Sequence, residues 1–83
     1  MSGMLANIIG LMGSALFIGA FAYSNVTASM NFVLFNLLNL FGAILLIISL
    51  TVHFNLAAMV MEVVWAIIAT LGLVKAWRGR ARP

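Results

Sequence analysis

Few side chains in this sequence could do chemistry, and those few fall at helical spacing in apolar surroundings. Glu62 is the only acid and His53 the only histidine among 83 residues. The stretch from Asn36 to His53, NLLNLFGAILLIISLTVH, carries Asn36, Asn39, Gly42, Ser49 and His53 at intervals that give an apolar helix a marked face. An ionised carboxylate in hydrocarbon costs several kcal/mol, so Glu62 must face protein or water. It is expected to bond Ser49, Ser14 or the Trp65 indole, to handle a proton or solute, or to meet another chain. Asn36 and Asn39 lie one turn apart and suit an interhelical clamp worth about 1 kcal/mol per bond, or the binding of a substrate hydroxyl. His53 suits a solvated position at the membrane surface, although imidazole is also a ligand type for haem or chlorophyll metals. No paired carboxylate, Ser-His-acid set or metal-ligand spacing is present, so neither enzyme activity nor a cofactor is expected. The glycines cradle no phosphate either, because Gly10, Gly13 and Gly19 fall inside an apolar run.

The elements that must position these residues follow from composition. The chain is 66 % hydrophobic and 6 % charged, against about half and about a quarter in soluble domains. So small a chain could not cover that apolar surface in water, whereas lipid satisfies it and helices satisfy their own backbone. The expectation is an all-α membrane protein, one domain over residues 1–83, with three transmembrane helices at about 5–23, 32–52 and 56–77 and a basic tail at 78–83. The first run spans roughly 28 Å as helix, against about 30 Å of hydrocarbon. Ala20-Phe21-Ala22 looks like a signal-peptidase site, but no Lys or Arg precedes the run, which favours a retained helix. Ser24 to Met30 reads as a tight turn before Asn31, a natural N-cap. His53-Phe54-Asn55 is so short that the second and third helices must form a hairpin. Without Cys, no disulfide staples the fold.

All four cations, Lys75, Arg78, Arg80 and Arg82, lie near the end of the third helix. The positive-inside rule places the C-terminus in the cytoplasm and the N-terminus outside, in a bacterial inner membrane. The glycosylation sequon Asn25-Val26-Thr27 then falls on the cytoplasmic side and reads as chance. Four cations are too few for a nucleic-acid surface. With Trp77 they suit an anchor at anionic headgroups, at about 1 kcal/mol per cation. Counting about 1.5 Å per residue gives two polar levels, an outer one of Ser14, Ser49 and Glu62 and an inner one of Tyr23, Asn39 and Thr70. Small residues such as Gly10, Gly13, Ser14, Ala15, Gly19, Gly42, Ala43, Ala66, Ala69 and Gly72 suit close helix packing.

Gly13-Ser14-Ala15, Ala22-Tyr23, Asn39-Leu40-Phe41-Gly42-Ala43, Ser49-Leu50, Asn55 and Trp65 together resemble a family of small, uncharacterised bacterial three-helix membrane proteins of the type first listed from Coxiella. The resemblance implies the fold and topology and carries no activity. A looser likeness, in length and in the short second link, is to the semi-SWEET half-transporters of sugars. Helix one here lacks their Pro-Gln pair. The functional expectation is a non-enzymatic membrane subunit that packs in a homo-oligomer or with the helices of a larger complex. The alternative is a homo-oligomeric half-transporter or channel for a small solute or proton using Asn39 and Glu62.

Overall fold

The computed structural model describes residues 1–81 as three helices: α1, Gly3–Val26; α2, Phe32–Leu50; and α3, Leu56–Ala81. There is no strand among the described residues. Each helix is long and apolar enough to cross a membrane. The bundle measures 48 Å along its longest axis, enough to reach through hydrocarbon and both headgroup layers, about 40–45 Å together.

Polar caps set the helix starts. The Ser2 hydroxyl accepts from the Leu5 amide at 3.1 Å, Asn31 Oδ1 accepts from Val33 and Leu34, and Asn55 Oδ1 accepts from Ala58 at 3.1 Å. Each cap satisfies amides that have no partner within their own helix. α1 continues past the expected end at residue 23. Ser24 Oγ and Asn25 Nδ2 both donate to the Phe21 carbonyl, at 2.7 and 2.9 Å, so these polar side chains fold back onto the helix instead of ending it. The turn is thereby confined to residues 27–31. α2 stops at Leu50 rather than near Val52, its last turn tightened as the Thr51 amide donates to the Ile48 carbonyl at 3.1 Å. α3 carries the first part of the basic tail in helix as far as Ala81. Arg82 lies outside the described residues, as does the side chain of Arg80.

α2 is the middle helix. It packs against α1 on one side and α3 on the other, while no Cα of α1 comes within 8 Å of one in α3 among the described residues. Small residues allow this. α1 buries Ala6, Gly13 and Ala20, one every seven residues, and α2 buries Gly42 and Ala43 between its two partners. A seven-residue small seam is the spacing that keeps one helix face toward a neighbour along its length. No large apolar side chain is fully buried among the described residues. The core is made of backbone, methyl groups, Asn39 and Glu62, and the big apolar side chains are half-buried or exposed.

The tightest crossing is Gly13 against Gly42. A methyl group at Gly13 would lie 2.7 Å from the Gly42 carbonyl oxygen, whereas one at Gly42 would meet the Phe17 ring at 2.7 Å and the Gly13 carbonyl oxygen at 3.0 Å. Gly13→Ala must therefore push two backbones apart. We expect it to destabilise the bundle by about 1–3 kcal/mol, measured by denaturation in detergent. Gly19→Ala, where nothing lies within 4 Å, should be neutral in the same assay.

Candidate functional site: the polar seam of the central helix

The second helix carries the candidate residues because its polar side chains fall on the two faces that meet partners. Asn39 is buried and fully engaged on one of them. Its Nδ2 donates to the Phe35 carbonyl one turn back at 2.9 Å, and its Oδ1 accepts from the Trp65 indole of α3 at 3.0 Å. Satisfying one end of the amide locally turns the other across the interface, so the bond has a fixed direction. Trp65 also meets Phe17 of α1, with ring centroids 5.9 Å apart and planes tilted by 53°, within the range for favourable aromatic pairs. That contact joins the two outer helices over the face of α2.

Asn36 holds the next turn. Its Nδ2 donates to the Phe32 carbonyl at 2.8 Å. Its side chain occupies the space over Gly72, where a methyl group would come 2.5 Å from Oδ1. The two asparagines thus both meet α3, one by a hydrogen bond and the other by filling a glycine notch. On the opposite side of α2, Ser49 rests on Gly10, whose added methyl would lie 2.8 Å from Oγ. Ser14 is half-buried on α1.

Glu62 is 5 % exposed, and its Oε2 has no hydrogen-bond partner. Neither of the three-residue polar levels assembles as a hydrogen-bonded cluster. Of the three candidate partners of Glu62, the Trp65 indole bonds Asn39. Thr70 is exposed and donates to its own Ala66 carbonyl at 2.8 Å. Tyr23 accepts from the Asn31 backbone amide at 2.8 Å, closing the α1–α2 turn. His53 caps the other end of the same helix pair, its Nε2 3.1 Å from the Gly3 carbonyl oxygen. Both bonds secure α1 to α2 and were not legible in sequence, because each partner is a backbone atom.

At the far end of α3, Lys75, Trp77 and Arg78 are exposed, as a headgroup anchor requires. Among the described residues no group of His, Cys, Asp or Glu is placed to hold a metal ion. The seam ties α3 to α2 through Asn39 and Asn36 and buries one carboxyl.

Two stability measurements separate these roles. In a double-mutant cycle of Asn39→Leu and Trp65→Phe, we expect a coupling of about 0.6–1.7 kcal/mol, the range for bonds between membrane helices. Glu62→Leu is expected to hold or raise stability by about 1–3 kcal/mol, since it removes a buried oxygen that bonds nothing. A marked loss would show instead that the carboxyl braces the bundle.

No curated protein and no solved structure matches the chain. A family model matches residues 6–81, which include the Asn39 to Ala43 segment, Asn36, Glu62 and Trp65. The protein therefore belongs to an uncharacterised family, as that segment and its flanking residues suggested.

Proposed function

We propose that the protein is a non-enzymatic integral membrane subunit that works by packing against further transmembrane helices, its own copies or those of a larger complex. The observation that carries this reading is the inverted core: apart from Asn39 and Glu62, only small residues are buried among the described residues, and many large apolar side chains on all three helices are exposed. The three helices account for most of the described residues, and much of their surface is apolar and exposed. One part of it is suited to a close neighbour. Ala15, Gly19 and Ala22 lie one above another on the outer side of α1, all exposed, and nothing of this chain comes within 4 Å of a methyl group placed at Gly19. Close packing of that kind is how helices associate where lipid removes the hydrophobic drive. The positive-inside rule, with Lys75 and Arg78 at one end of α3, supports a cytoplasmic C-terminus in a bacterial inner membrane.

Glu62 favours a second reading. A buried carboxyl with an unbonded oxygen is a group that a proton or a polar solute could use, and Asn39 lies further along the same α2–α3 interface. In a homo-oligomer this interface would border a path, and flux in proteoliposomes would fall in Glu62→Gln.

Because the chain has no cysteine, one introduced thiol reports cleanly on assembly. Gly19→Cys is expected to cross-link in native membranes, to itself or to another subunit. Ile67→Cys, exposed on α3, serves as the reference site. Gly19→Leu should abolish the association while leaving the fold intact by circular dichroism. A Gly19→Cys protein that gives no more cross-linked product than Ile67→Cys would overturn this placement of the interface.

A further inference from the structure

Where α2 begins and α3 ends, the two helices part to leave a groove of about 640 Å³, within the roughly 300–1,000 Å³ of small-molecule sites. The space exists because of what α3 places there. Gly72, Ala76 and Gly79 line one side at intervals of four and three residues, and nothing approaches a methyl group added at Gly79 within 4 Å. Asn36 fills the notch at Gly72. Ser29, Met30 and Asn31 of the turn from α1 also line the groove, and the Asn31 amide donates to the Tyr23 hydroxyl.

Most polar groups on this groove can donate, the exception being Asn36 Oδ1, which faces Gly72 at one end. Lys75 lines it from α3, and Ser29 and Asn31 line it from the turn. Asn31 Oδ1 is taken by two amides of α2, which leaves its Nδ2 to donate outward. No side-chain carboxylate balances the lysine, because Glu62, the only acidic side chain, sits 13 residues earlier on α3, roughly 20 Å along the helix. Met30, Phe32 and Val33 supply apolar wall beside these donors. A net-positive groove with donors gathered around Lys75 and apolar flanks, at the end of two spanning helices, fits a phosphodiester that carries acyl chains.

We infer that this groove is a binding site for the headgroup of an anionic phospholipid, with Lys75 against the phosphate and Ser29 and Asn31 donating to its oxygens. The site differs from the general attraction of a basic tail to a charged surface. Arg78 lines a separate groove of about 420 Å³ with Leu37, Val74 and Trp77, and so provides a matched cation outside the site. The inference rests on the chain lying in a bilayer but not on its assembly through α1, so cross-linking at Gly19 and lipid retention can fail independently.

The test is native mass spectrometry of the full chain in mild detergent with added phosphatidylglycerol or phosphatidylcholine. One phosphatidylglycerol should be retained per chain in preference to phosphatidylcholine. Lys75→Ala should lower that retention about fivefold, the effect of one cation near an anionic headgroup, and Lys75→Arg should restore most of it. Ala76→Phe should remove it by filling the groove without changing charge, with Gly79→Phe as the second filling variant if the first loses helical signal. Equal losses in Lys75→Ala and Arg78→Ala would mean a diffuse surface effect and overturn the site. Displacement of the lipid by inorganic phosphate would overturn the lipid as its occupant.

Discussion

The contact on which the rest of this bundle depends is the approach of α1 to α2 at Gly13 and Gly42, where only hydrogen atoms separate the backbones. In lipid an apolar side chain gains little by meeting another apolar side chain, so dispersion between closely spaced backbones must hold the helices together. That need explains a core of Ala6, Ala20, Ala43 and Ala69 and the absence, among the described residues, of any fully buried large apolar side chain. It also explains the middle place of α2. Gly42 is given to α1 and Ala43 is buried beside it, so one turn of helix serves both flanks.

Polar groups then supply the direction that dispersion lacks. Asn39 and Asn36 each bind their own helix through the amide nitrogen and present the oxygen to α3. Trp65 donates to Asn39 on one side and meets the tilted Phe17 ring on the other, an aromatic link between helices whose backbones stay apart. Glu62 is the exception: buried and incompletely bonded, it contributes nothing visible to the cohesion around it. In a minimal bundle, a group that costs energy and secures nothing is where function rather than folding would be sought.

Much of the fold was legible from residue type. Length and hydropathy gave the three helices, and Asn31 marked the start of α2 because a side-chain oxygen is needed there for free amides. The end of α1 was not legible, since Ser24 and Asn25 break or continue a helix according to which carbonyl they bond. Which side chains meet was less legible than where the helices run. Counting residues fixes height in the membrane but not rotation about the helix axis. Thr70 has a suitable height for the inner polar level, yet it is turned outward onto its own backbone. Asn39 reaches Trp65 instead, which the sequence had offered to Glu62.

The bonds at the two ends of the α1–α2 pair bear on a problem created by the seam itself. Small residues that recur at Ala6, Gly13 and Ala20 look alike to a neighbour, so α1 displaced by one repeat, roughly 10 Å, would again offer a small residue to Gly42. Packing alone therefore leaves the register nearly degenerate. Tyr23 on the Asn31 amide and His53 on the Gly3 carbonyl are not repeated along the helices, and each exists in one alignment only. Two hydrogen bonds at the membrane surfaces thus select a single vertical alignment from several that the interior would tolerate.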